Sequence, residues 1–138
     1  MPRGDELVDR LGSARYLTTF DLAKGYWQVH MAEGSREKTA FITPQGLFQF
    51  TVMPFGIRGA PATFQGMMDH LVVSIAAFCV AFLDDLVIFS NTWEEPLSHI
   101  HHVLTALHHP GLTAKPIKCQ FGMNQCVYLG HVVGNGQV

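Results

Sequence analysis

Charge is scarce in this sequence. Only 14% of its 138 residues are Asp, Glu, Lys or Arg, and 48% are hydrophobic; about 25% charged is usual for a soluble domain. So few charges imply apolar surface that another segment covers. Positive charge is scarcer still: nine Lys and Arg stand against eleven Asp and Glu, for a net charge of −2 with His neutral. The basic footprint with which a free-standing nucleic-acid binder neutralises phosphates is missing. Cysteine is limited to Cys79, Cys119 and Cys126. That odd count has no disulfide or zinc spacing, so reduced thiols and an intracellular location are expected. No apolar run approaches the ~18 residues that cross a bilayer. The polar Met1-Pro2-Arg3-Gly4-Asp5-Glu6 does not read as a signal peptide, and no membrane role is expected. Repeats, linkers and low-complexity tracts are also lacking. The length suits one domain with ample material for a core.

What is present centres on Phe82-Leu83-Asp84-Asp85. It lies between the apolar runs Ile75 to Ala81 and Leu86 to Ser90, which read as buried strands. Two adjacent carboxylates between such strands belong in a tight turn, because neither is tolerated unpaired inside a sheet. Asp-Asp alone is a common turn dipeptide. Here, however, Asp21 closes another apolar run, Tyr16 to Phe20. Three carboxylates at neighbouring strand ends repel one another unless a cation sits between them. They have the hard oxygen ligands to hold two Mg²⁺ ions for an in-line phosphoryl displacement. If they share two ions, their carboxyl groups are expected within roughly 8 Å of one another.

In chain order, Asp5 to Gly12 reads as a short amphipathic helix with Leu7, Val8 and Leu11 on one face. A strand at 15–20 delivers Asp21. Ala23 to Tyr26 is a turn, Trp27 to Met31 resumes apolar alternation, and Ala32 to Arg36 is a polar loop. Thr39 to Thr43 and Leu47 to Val52 form a hairpin across Pro44-Gln45-Gly46. Pro61 stands in the first turn of a helix reaching about Ser74, with Phe64, Met67, Met68, Leu71 and Val72 at helical spacing as core. A second helix at 93–109 has Leu97, Ile100, Val103, Leu104 and Leu107 inward. Its polar face carries His99, His101, His102, His108 and His109, read as solvated. Beyond Gly111 the chain is mostly β, at 112–115, 119–121 and Cys126 to Val133, ending in a Gly134-Asn135-Gly136 turn. This order predicts an α+β fold, an antiparallel sheet with helices packed on one face.

Several stretches then resemble one family. Thr19-Phe20-Asp21-Leu22-Ala23-Lys24-Gly25-Tyr26-Trp27-Gln28 resembles the first carboxylate motif of the reverse transcriptases of gypsy-class long-terminal-repeat retrotransposons. Met53-Pro54-Phe55-Gly56 through Ala60-Pro61-Ala62-Thr63-Phe64-Gln65 is similar to their template and nucleotide loop with its helix. Phe82-Leu83-Asp84-Asp85 is similar to their aromatic-X-Asp-Asp box. Gly111-Leu112 through Lys118-Cys119, then Tyr128-Leu129-Gly130-His131, resemble their two later motifs, so the resemblance spans nearly the whole chain. Two positions depart from it. Phe82 stands where tyrosine is common, and Ile117 where lysine is usual, which leaves Lys118 as the nearer candidate for a general acid.

The resemblance implies a polymerase palm over residues 1–138, a fragment without the fingers, thumb and ribonuclease H regions of its parent polyprotein. It implies RNA-directed DNA synthesis with two Mg²⁺, or Mn²⁺ in their place, from deoxynucleoside triphosphates on a primed RNA or DNA template. Asp21, Asp84 and Asp85 match the catalytic metal ligands. Leu22, Lys24, Gly25, Tyr26, Phe55 and Gly56 match the nucleotide site, with Tyr26 as the gate against a ribose 2′-hydroxyl. Arg58, Pro61, Tyr128, Leu129 and Gly130 match the side that faces primer and template. The rival expectations are a non-catalytic remnant serving as an interaction module, and another two-metal enzyme such as a nuclease. Tyr26, Phe55 and Gly56 have no role in the latter.

Overall fold

The computed structural model describes residues 4–22, 25–82, 85–128 and 130–134. Its centre is a four-stranded antiparallel sheet of β1 (Tyr16–Asp21), β4 (Cys79–Phe82), β5 (Asp85–Ser90) and β6 (Gln120–Met123) in the order β4-β5-β1-β6. Two hairpins stand beside it, β2 (Phe41–Thr43) with β3 (Gly46–Phe48), and β7 (Gln125–Tyr128) with β8 (His131–Gly134). The helices are α1 (Gly4–Gly12), the four-residue α2 (Glu33–Arg36), α3 (Ala60–Val72) and α4 (Glu95–His108). The α+β class is as expected.

Period-two alternation divides the sheet into two faces. Phe20, Cys79, Ala81, Leu86 and Ile88 turn to one side and pack with Phe64 and Met68 of α3 and with Val103 and Leu107 of α4. Leu17, Val80 and Val87 turn to the other, against Leu7, Val8 and Leu11 of α1 and Cys126, Tyr128 and Val133 of the β7–β8 hairpin. Two helices therefore lie on one face as expected, while α1 lies on the opposite one. Its hold there includes an Arg10 guanidinium that donates to the Ala76 carbonyl and lies 5.5 Å from the Phe89 ring centre.

The structure corrects several local expectations. Leu97 and Leu104 are exposed rather than inward, at 81% and 48%. The buried stripe of α4 runs instead through Pro96, Val103 and Leu107, with Ile100 half-buried. Positions seven apart share one helical azimuth, so 97 and 104 leave the core together. His101, His102, His108 and His109 are exposed, but His99 is not simply solvated: its ring stacks on Phe78 at 4.0 Å and its Nδ1 lies 2.8 Å from the Ser90 hydroxyl. The apolar run from Ile75 is a strand only from Cys79. A 3₁₀ turn at Val73–Ile75 takes its start, since periodicity cannot distinguish a buried turn from a buried strand. Trp27 falls in a 3₁₀ turn, Gly25–Gln28, and the 32–36 stretch contains α2. Residues 112–115 contribute only the Leu22–Ala114 bridge, with a 3₁₀ turn at Pro116–Lys118 before β6. The expected Gly134-Asn135-Gly136 turn falls mostly outside the described residues.

Candidate active site

The carboxylates are placed by strand register. Phe82 pairs with Asp85 across β4 and β5, and Asp21 pairs with Asp85 across β1 and β5. Directly opposed residues of antiparallel strands hold their Cβ atoms about 4.5–5.5 Å apart, and like charges so placed repel. Alternation puts both side chains on the α1 side of the sheet, beyond the point where α1 and the β7–β8 hairpin cover it. Asp84 lies outside the described residues. Among those residues no three His, Cys, Asp or Glu side chains are grouped to hold a metal ion. The opposed pair nonetheless supplies the hard oxygen donors that Mg²⁺ prefers.

A cation reaches this pair from the far end of the chain. The Lys115 amide donates to the Asp21 carbonyl at 2.8 Å, Ala114 bridges to Leu22, and Gln120 pairs with Thr19. The intervening turn returns Lys118 to β1, with Nζ 3.8 Å from Asp21 Oδ2. Both groups meet solvent, so this ion pair contributes at most about 1 kcal/mol to stability. Asp21, Asp85, Lys118, Thr19, Gln120 and Tyr128 line one cleft of about 150 Å³. Tyr128 is 4% exposed, and its buried hydroxyl has no hydrogen-bond partner among the described residues. Burial, and then the Asp85 carboxylate, push that hydroxyl's pKa well above the usual phenol value. Behind the sheet, burial pushes the Cys79 thiol up to about 12, so it packs as an inert apolar group.

The second expected cluster is aromatic. Tyr26 sits with its ring centre 5.1 Å from Phe55 and 5.3 Å from Phe64. Ring contacts continue from Phe55 to Trp27, Phe50, Phe41 and Phe48. Phe55, Ile42 and Leu47 are 61%, 84% and 70% exposed, which is the uncovered apolar surface that the charge deficit predicts. Gly56 takes a φ of +87°, open to glycine without strain. Residues 25–28 are tied across the chain by Gln28, whose Oε1 accepts from the Thr113 amide at 2.7 Å and whose Nε2 donates to the Thr113 carbonyl at 3.1 Å.

Residues 1–133 match the family described as reverse transcriptase (RNA-dependent DNA polymerase). The chain belongs to the reverse transcriptase family. It is 42% identical over 134 residues to the retrovirus-related Pol polyprotein from transposon 297 of Drosophila melanogaster, covering 96% of this chain and 13% of that one. It is 34% identical over 136 residues to the enzymatic polyprotein of cauliflower mosaic virus (strain NY8153), covering 99% of this chain and 20% of the relative. The chain thus spans a fifth or less of these curated relatives. Its fold matches the foamy virus protease–reverse transcriptase in complex with double-stranded DNA, with a TM-score of 0.88 at 22% identity over 97% of this chain and 24% of the other. A second structure, with an RNA/DNA hybrid, matches at 0.81 and 23% identity over 92% and 18%.

Within this reverse transcriptase domain, register and one turn bring Asp21, Asp85 and Lys118 to a single cleft. Tyr26 and Phe55 form a separate aromatic contact. Leu22 is buried at the end of β1, Gly25 is buried at the start of its turn, and Arg58 and Pro61 are exposed at the start of α3. Lys24 and Leu129, like Asp84, fall outside the described residues. Tyr128, expected to face primer, turns its side chain inward, while Gly130 (φ +79°) is exposed. Gln28 and Gln65 lie within the resembling motifs but have no task in them. Gln65 is buried, and its Nε2 donates to Asp69 Oδ1 at 2.7 Å and to the Ala81 carbonyl at 3.3 Å, fastening α3 to β4 just before the carboxylate hairpin. A glutamine on the apolar face of a helix was the available signal, since buried amides are kept where they find partners.

Proposed function

We propose that this chain is the palm core of the RNA-directed DNA polymerase of a gypsy-class long-terminal-repeat retrotransposon. It works as a two-metal nucleotidyltransferase only with further segments of its polyprotein. The in-register pairing of Asp21 with Asp85 on an uncovered end of the sheet is the observation that carries this reading. With Asp84 they would hold two Mg²⁺ ions, or Mn²⁺ in their place. When bound, such ions activate the primer 3′-hydroxyl and offset the charge of departing pyrophosphate.

The remaining roles belong to the chain's own residues. Lys118 gives the pyrophosphate its proton, a role supported by its ammonium 3.8 Å from Asp21. The Leu22 carbonyl and the Lys24 and Gly25 amides hold the metal and triphosphate side of the nucleotide. Tyr26 excludes a ribose 2′-hydroxyl, and its contacts with Phe55 and Phe64 support a fixed ring. Phe55 and Gly56 form the floor beneath the base. Arg58, Pro61, Leu129 and Gly130 face primer and template. The DNA and RNA/DNA complexes formed by the foamy virus proteins support a primed template as partner. With a net charge of −2, phosphate neutralisation falls to the other segments.

Primer extension with Mg²⁺ or Mn²⁺ tests this. The 138-residue chain alone is expected to extend nothing. In place of the matching segment of the transposon 297 polyprotein it is expected to support extension, reduced about 10²–10³-fold by Asp21→Asn, the scale of a lost electrostatic group at a reacting centre. Extension by the isolated chain that Asp84→Asn abolishes would overturn the incomplete-enzyme reading. Extension by the chimera that survives Asp21→Asn would overturn the catalytic assignment.

A further inference from the structure

The Tyr128 hydroxyl has no explanation in the packing. Tyr128 is the last residue of β7, where Cys126 and Tyr128 face inward and Gln125 and Val127 face out. A phenylalanine there would fill the same space between the hairpin and the sheet. Tyr128 instead lines the cleft of Asp21, Asp85 and Lys118 with a buried hydroxyl that has no hydrogen-bond partner among the described residues. An unpartnered buried donor is destabilising, and native structures rarely keep one without use. Asp21 and Asp85 are the carboxylate acceptors that line the same cleft. Asp85 is the carboxylate whose charge acts on this hydroxyl.

We propose that the Tyr128 hydroxyl is a positioning donor for the Asp85 carboxylate, binding one of its oxygens when the cleft takes up a divalent cation. One carboxylate oxygen then faces the metal and the other is held from behind by the hairpin. This is how outer groups orient ligating carboxylates. The inference rests on the two-metal reading above and gives the inward-turned Tyr128 a task at the carboxylates.

The test is Mn²⁺ binding to the full 138-residue chain, followed by electron paramagnetic resonance, for wild type, Tyr128→Phe and Asp85→Asn. Wild type is expected to bind, Asp85→Asn to lose binding, and Tyr128→Phe to bind about 10-fold more weakly, the lower end for outer-shell changes. Thermal melting without metal is expected to show Tyr128→Phe at least as stable as wild type. Equal Mn²⁺ affinity in wild type and Tyr128→Phe would overturn the inference alone. No Mn²⁺ binding by wild type would overturn it together with the two-metal reading. A second measurement needs no variant at Tyr128: adding Mg²⁺ is expected to shift the near-ultraviolet tyrosine band of wild type but not of Asp85→Asn. A band unmoved in a protein that binds Mn²⁺ would also overturn the inference.

Discussion

The two faces of the central sheet use the same strands for opposite ends. On the α3–α4 side, Phe20, Leu86 and Ile88 meet Phe64, Met68 and Val103 in a dry core whose members are at most 6% exposed. On the α1 side, Leu17, Val80 and Val87 are covered as tightly, but cover stops short of the strand ends and leaves Asp21 and Asp85 opposed across a cleft. Moving one residue along β1, from Phe20 to Asp21, crosses from one regime to the other. One face supplies the rigidity that lets the other hold like charges side by side.

The sharpest break in that comparison is Phe64→Ala. Phe64 is fully buried where α3 meets the sheet, so its truncation is expected to cost about 3–5 kcal/mol by denaturant unfolding. A loss under about 1 kcal/mol would mean that the α3 side is not the rigid one. Gly134→Ala probes the cover of the open face. Gly134 has a φ of +118°, and an added Cβ would fall on the Asn124 carbonyl oxygen and 2.9 Å from the Gln125 Cα. Strained backbone of this kind is expected to cost on the order of 1–3 kcal/mol in chemical denaturation. An unchanged midpoint would show that the β7–β8 hairpin is held loosely against the sheet. The smallest effect is expected at the cleft. Lys118→Met removes an exposed ion pair and is expected to change stability by less than about 1 kcal/mol. A larger loss would mean that the cleft contributes to the fold and is not merely carried by it.

Local pattern determined a good deal of this molecule. The apolar run ending at Asp21 and the run from Leu86 to Ser90 are β throughout, while the run from Ile75 is β only from Cys79, because strand propensity and alternation act over five or six residues. The start of α3 follows from Pro61, whose fixed φ suits a first helical turn. The charge deficit matched an exposed aromatic surface, since too few polar side chains leave apolar atoms outside.

Tertiary structure alone decided the rest. A carboxylate at a strand end has no partner until register is set. The pairing of Asp21 with Asp85 depends on how β1 docks against β5 over 60 residues away. Lys118 reaches Asp21 because backbone bonds at Ala114 and Lys115 fix the return of a distant turn. The side of the sheet that α1 covers, and the outward turn of Leu97 and Leu104, depend on which partner face is already filled. The Tyr128 hydroxyl, without a partner among the described residues, is likewise invisible in a sequence, where burial and hydrogen bonding are not properties of one residue but of everything packed around it.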